Sequence, residues 1–545
     1  MKKLLLVLSA MVLVLGLTAC GGDKDTPPVE TYDGLPTDVE GRIDIMLWSG
    51  SGTYLEDLGH ADIADDELTA QNDAAAYAVA KKFNEIYPNV VINVLAHKGD
   101  AWSDGKIWSQ ELNTYKDAYG QHPTIWATID LPGDIANGIV ADLSVFSADP
   151  VYKSMNPSIM QMMSYNGFQG GLPQYILPWG IFVNKELALS KNLDVPGFDW
   201  DIDEYTDFIG NHETDVYYGS MDTPIRIIET GTNDIAKSLF EYDGTGDFVN
   251  LNSDEVRSLL PYLDEWNEHA VWGGDYTDQF MSDNGWWSYN FFKNGKLLTL
   301  EGDPWMMGDC AHPDEDWWGA CISEDWDIYP RPSTDFVDNN VGIVLDPMAV
   351  YNHCLDDGNL ACSAEEELKI QLSYTFASFW IASTDSWNAR ASQQFIDVES
   401  QTYSSSLNDS FPVTTGDLFN EQMNVWYSVP KHARFADESV MPGFHEVIRI
   451  YEEGQFWDIS DKSFPYFYDD DGTRRPNMEE WKSYYNSEIN GGVEKGDSNF
   501  IDTILGNLST WNTLSNERFA ESWATMLDGM DRYYPDPEEE ATETE

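Results

Sequence analysis

Positive charge is what this 545-residue chain has least of: 30 Lys and Arg stand against 95 Asp and Glu, for a formal net charge of −65. Such a surface repels phosphate backbones and has no basic patch with which to release their counterions, so a nucleic-acid partner is excluded. Cysteine is scarce as well, with five in all and no CxxC spacing, which leaves no zinc pattern. The phosphate loop GxxxxGK[ST] is missing: in its nearest approach, "YNFFKNGKLL", Asn290 stands where glycine is required. HExxH is missing because "HEVIR" puts Arg449 at the second histidine, and "WSGSGTY" is not GxSxG. The apolar run from Leu4 to Leu15 is too short to span a bilayer.

What that run does fit is a secretory signal: Lys2 and Lys3, the apolar stretch, then small residues ending at Cys20. "LTAC", Leu17 to Cys20, looks like a bacterial lipobox, in which the chain is cut before the cysteine and the cysteine is acylated. Residues 1–19 are therefore expected to be a signal peptide, with Cys20 the lipidation site that holds the chain on the extracytoplasmic face of the cell membrane. The Gly-, Pro- and acid-rich stretch 20–40 buries too little apolar surface to fold and reads as a tether, and 535–545 as an acidic tail. The rest is long enough for two lobes. In an oxidising compartment the other four cysteines read as disulfides, and of the three pairings the local one joins Cys310 to Cys321 and Cys354 to Cys362.

Alternation from Ile43 to Trp48 predicts a strand ending in a Gly/Ser loop. Ala76, Val79, Phe83 and Ile86 recur at helical spacing, with Asp73 as the cap and Pro88 as the stop, and "VVINVLA" follows as a second strand. Strand, helix, strand predicts a parallel βαβ unit. The pattern returns in "PTIWATID", "PGDIANGIVADLSVF" and "WGIFVNKELA", which implies an α/β class whose ligands bind beyond the carboxyl ends of strands. Trp48, Asp130, Trp179 and Trp305 lie at or near such ends. Asp469 to Asp471 with Gly472 leave a calcium loop as an alternative to a solvated one, although the spacing departs from the EF-hand pattern; no cofactor is otherwise expected.

In order as well as type, "IMLWSGSG", "AVAKKFNEIYPNVVINV", "TIWATIDLPGDIANGIVADLS", "GLPQYILPWGIFVNKELA", "DFIGNHE", "FFKNGKLLTLEGDPWMMG", "DWDIYPRPS" and "FPVTT" resemble the extracellular solute-binding proteins of carbohydrate ABC importers, the branch that includes maltose-binding protein. The resemblance implies a two-lobe, type II periplasmic-binding-protein-like fold with the solute in the cleft. Crossings are expected near Leu172 to Leu177, Trp326 to Pro330 and Phe411 to Thr415, which places lobe 1 at 41–175 and 331–412 and lobe 2 at 176–330 and 413–534. It also implies Trp305 as an aromatic platform, Trp126 and Asp130 as the lobe 1 aromatic and acid, and Phe444 as a further lobe 2 aromatic. In the hinge strand the family's carboxylate is replaced by Leu177, with Trp179 nearby.

Sugars offer C–H faces to aromatic rings and hydroxyl rims to acids and amides. With 21 tryptophans, many beside acids, the chain is equipped for that chemistry. The expected ligand-binding set is Trp48, Trp126, Asp130, Trp179, Asp303, Trp305 and Phe444, with Trp286, Trp287 and Tyr289 weighed against helix packing. Arg331 and Arg390 are read as members of structural ion pairs. The expectation is a monomeric, lipid-anchored, non-enzymatic binder that captures a saccharide, by its length an oligosaccharide, and delivers it to an ABC permease. A secreted glycoside hydrolase or a cell-wall-binding surface lipoprotein is the alternative, and with 95 acidic residues no carboxylate pair can be singled out in favour of the hydrolase.

Overall fold

The structure is a computed structural model and describes residues 34–47, 51–95, 108–233, 242, 245–273, 276–285, 288–302, 325–356, 360, 362–396, 401–460, 462, 466–468, 474–476 and 499–534. Strand β1 (Gly41–Met46), helix α1 (Gln71–Ile86) and strand β2 (Val90–Val94) form the expected βαβ unit, with β1 and β2 parallel from Gly41↔Val90 to Ile45↔Val94. The first residues of α1 differ from the expectation. Its N-cap is Ala70, without a side-chain bond, and Asp73 lies inside the first turn.

Helix α2 (Trp108–Tyr119) leads to β3 (Ile125–Ala127), parallel to β1. The strand ends before Asp130 because Asp130 caps the next helix, α3 (Leu131–Ala136), accepting from Gly133 N at 3.1 Å. The long strand β4 (Leu172–Asn184) then runs through the middle of the molecule. From Leu172 to Trp179 it pairs with β7 (Val341–Val350), and from Gly180 to Asn184 with β5 (Thr299–Gly302) and β6 (Trp326–Tyr329). One strand thus belongs to two sheet regions. The order β2-β1-β3-β7-β4-β5, with β8 (Phe456–Asp458) on β7 and β6 on β4, is one mixed eight-stranded sheet.

Helix α4 (Ile202–Ile209) opens on a capping box between Asp201 and Glu204 and packs its apolar face in lobe 2. Lobe 1 is closed by α5 (Ala364–Ala382), also with a capping box, and α6 (Thr384–Ser392). Helices α7 (Gly416–Ser428) and α8 (Pro442–Glu452) follow, and Asp327 of β6 accepts from the N–H groups of Gly443 and Phe444 at the start of α8. The last described helix is α9 (Asn499–Tyr533). No helix among the described residues is long and apolar enough to cross a membrane.

Cys354 and Cys362 form a disulfide, as expected. Cys310, Cys321, Cys20 and the Asp469–Asp471 loop lie outside the described residues.

Candidate functional site: the strand-end cleft

On lobe 1 a line of polar groups crosses the carboxyl ends of the strands. Asp73 is 2% exposed; its Oδ2 accepts from Ser51 N at 3.1 Å and its Oδ1 has no partner. Burial raises this carboxyl above its ordinary range, against the bond from Ser51. The neighbouring Asn72 accepts from Tyr175 Oη at 3.3 Å. Tyr175 of β4 stands opposite Asp346 of β7, and Asp346 pairs with Lys462. The carbonyl of Lys462 accepts from Leu131 N at 3.2 Å, beside the Asp130 cap. Two strand-following helices and the crossing strand are held together by these contacts.

Along β4 only two residues break a buried run: Leu177 and Trp179, which alternation puts on the same face as Tyr175. Four residues of strand separate Tyr175 from Trp179 by about 13 Å. The Trp179 indole lies under the Arg226 guanidinium at 4.7 Å, and its Nε1 is buried without a hydrogen-bond partner. Asp222 lies nearby; although its side chain reaches solvent, desolvation by its surroundings and the charge of Glu301 push it up to about 6, against the pull of Arg226. Glu301 at the end of β5 pairs with the fully buried Arg331. Lobe 1 therefore offers acids and amides, and lobe 2 an aromatic ring flanked by a cation and an acid. This pairing of groups suits a polyhydroxylated solute.

The sequence-predicted residues distribute unevenly over this cleft. Asp130 is buried as the N-cap of α3, and Trp179 is partly exposed on β4. Trp126 is fully buried in β3, and its Nε1 donates to Asp134 Oδ2 at 3.1 Å, which makes it a core residue holding α3. Phe444 is likewise fully buried, stacked on Trp426 at 5.8 Å and packed at 4.5 Å against Phe435 and 5.7 Å against Phe411. An aromatic with no exposed face offers no platform in this conformation. Tyr289 is buried within the helix Ser288–Lys293. Trp48, Asp303, Trp305, Trp286 and Trp287 lie outside the described residues. Arg331 is in the structural ion pair expected of it, whereas Arg390 has no acidic partner among the described residues: it stacks on Trp387 at 4.7 Å and donates to the Trp380 carbonyl at 3.2 Å, and burial pushes it down to about 10. Among the described residues no group of three His, Cys, Asp or Glu side chains is placed to hold a metal. Sequence reasoning missed Asp73, Asn72, Tyr175, Asp222 and Arg226. The first turn of a helix that follows a strand-end loop was the available signal for the first two.

No family model and no curated protein sequence matches this chain. Solved structures do. An ABC substrate-binding protein of Listeria monocytogenes in complex with cycloalternan superposes with a TM-score of 0.53 over 87% of this chain and 99% of its own, at 14% identity. The cyclic α-maltosyl-1,6-maltose binding protein of Arthrobacter globiformis gives 0.51 over 90% and 100%, also at 14% identity. A cyclo/maltodextrin-binding protein complexed with maltotetraose gives 0.50 over 91% and 98%, again at 14%. The chain has the two-lobe fold of ABC solute-binding proteins. Strand β4, which pairs with β7 over its first half and with β5 and β6 over its second, carries both Tyr175 of the polar line and Trp179.

Proposed function

We propose that the protein captures a saccharide, by the length of the chain an oligosaccharide, between its lobes and delivers it to an ABC permease, tethered to the extracytoplasmic face of the membrane through Cys20. The observation that carries this reading is a partly exposed Trp179 on β4 beneath the Arg226 guanidinium, in a chain whose strand-end helices carry the partnerless carboxylate oxygen of Asp73 and the Asp130 cap. The fold, shared with binding proteins that hold oligosaccharides, supports capture over hydrolysis. Binding would favour the closed form and shift the population of lobes toward it, the state a permease would recognise. The membrane part of the proposal rests on "LTAC" and the polar tether that follows.

A panel of linear and cyclic oligosaccharides, read by thermal shift and confirmed by calorimetry, tests capture. A saccharide that raises the melting temperature and comes back chemically unchanged supports it, and cleavage of the bound sugar overturns it in favour of a hydrolase. For the anchor, Cys20→Ser should move the protein from the membrane to the soluble fraction. Retention in the membrane fraction would refute that part alone.

A further inference from the structure

Helix α9 carries one buried stripe, Ile504, Leu508, Phe519, Trp523 and Met526, and that stripe is shared between the lobes. Its middle grips lobe 2 at the loop before the helix Asp254–Leu259. Asn512 Oδ1 accepts from Leu251 N at 2.8 Å, Asn516 Oδ1 from Phe248 N and Val249 N at 2.7 and 3.0 Å, and Asn516 Nδ2 returns a bond to Val249 O at 2.9 Å. Phe519 lies flat on Phe248, with 3.8 Å between centroids and 4° between planes. Its C-terminal end lies on lobe 1. Gly529 abuts Ala136 at the end of α3, Tyr533 covers Gly138, and the Tyr534 hydroxyl donates to Val140 O while its ring meets Phe168 at 4.7 Å. Between the two grips Trp523 touches both sides, at 5.2 Å from Tyr242 of lobe 2 and 6.4 Å from Tyr165 of lobe 1.

We propose that α9 is a strut between the lobes that limits how far the cleft opens, a regulation of the site that rests on reading the cleft as a ligand-capturing one. From Asn516 to Tyr533 the helix spans about 26 Å, and a helix of that length moves as a rigid rod. If the lobes part, the rod must let go at one end. The lobe 2 grip consists of amide bonds to the backbone and a stacked ring pair. The lobe 1 grip is close packing on backbone, two tyrosine rings and one hydroxyl bond, against the four amide bonds of the other, and it gives way first. That end rests on α3, whose other end carries the Asp130 cap of the cleft, so the strut and the binding site share one helix.

Two glycines of α9 make the test. A Cβ on Gly529 would meet Ala136 backbone atoms at 2.4–2.7 Å, where the two chains must move apart, whereas a Cβ on Gly506 would meet nothing within 4 Å. Gly529→Leu and Gly506→Leu add the same side chain to the same helix. The inter-lobe distance is measured in the full-length, sugar-free protein with spin labels on ketone-bearing residues introduced at the exposed Val145 and Leu189, leaving the cysteines untouched. Gly529→Leu should add a longer-distance population that wild type and Gly506→Leu lack. Identical distributions for the two variants would overturn the strut. Should Gly529→Leu fail to fold, Tyr534→Phe, which removes only the hydroxyl on Val140, goes through the same measurement. A broadened distribution supports the strut and an unchanged one overturns it. Because no sugar enters this experiment, its failure is separate from that of the capture reading, which falls only if no saccharide binds wild type.

Discussion

Removing the negative member of the Glu301–Arg331 pair is the sharpest available perturbation of the lobe 2 wall. The Arg331 side chain is fully buried, Glu301 is 18% exposed, and among the described residues the guanidinium also donates to the Thr230 hydroxyl at 3.5 Å. Burial pushes the arginine down in pKa, Glu301 pulls it back up, and Arg226 adds repulsion. Glu301→Gln keeps the shape and an acceptor but strands a cation in the interior. Breaking a buried pair in this way costs about 3–5 kcal/mol, and the partial exposure of Glu301 points to the lower end. About 3 kcal/mol is a hundredfold or more in the folded-to-unfolded ratio. The double variant Glu301→Gln/Arg331→Met removes the stranded charge as well, so it should be more stable than the single one. Urea unfolding followed by both tryptophan fluorescence and far-UV circular dichroism reads this, two probes being needed because two lobes need not unfold as one. A loss below about 1 kcal/mol in the single variant, or a double variant no better than the single, would refute the argument.

Trp179→Ala should weaken binding of the best saccharide about thirtyfold by calorimetry, the typical effect of truncating a central aromatic anchor. Unchanged affinity would remove Trp179 from the site. Opening the Cys354–Cys362 disulfide, which closes a loop of sequence separation 8, should cost roughly 2.5 kcal/mol in urea, as Cys354→Ser/Cys362→Ser reads directly. Just before Phe411, burial works against ionisation of Asp409, but Lys431 at 2.8 Å and His432 at 2.7 Å outweigh it and hold the carboxyl at about 2. A folded pKa below the ordinary 3.8 gives stability that is present above that value and is lost as pH falls toward 2. Asp409→Asn should flatten stability against pH over that window, and an undiminished slope would assign it to other carboxylates.

The order of strands and helices was legible because alternation and helical spacing are local. β1 and β2 lie within two residues of where their apolar pattern put them, α1 begins three residues earlier than its expected cap implied, and β4 ran into a helix as "WGIFVNKELA" suggested. Contacts between distant segments were not legible. Asp73 looked like a cap because it precedes an apolar stripe, but its partner is Ser51, on a loop whose path depends on the fold of β1. Lys462 reaches Asp346 across 116 positions. The same distance in sequence hides the grip of α9 on lobe 1.

Aromatic abundance misled for a different physical reason: a platform and a core tryptophan share local chemistry, and only burial separates them. Trp126 lies in a strand whose neighbours Ile125 and Ala127 are buried too, as in a strand covered on both faces. Trp179 lies in a strand where buried residues alternate with the half-exposed pair Leu177 and Trp179, the mark of one face turned to a cleft. Written out, "TIWATI" is apolar or small on both sides of its tryptophan, while "QYILPWG" sets its tryptophan after a proline and before a glycine. Both are poor companions in an ordinary strand interior, and both mark a place where the strand meets something other than its own sheet. That is where β4 leaves β7 for β5 and β6, and where a ligand held between the lobes would find an aromatic face.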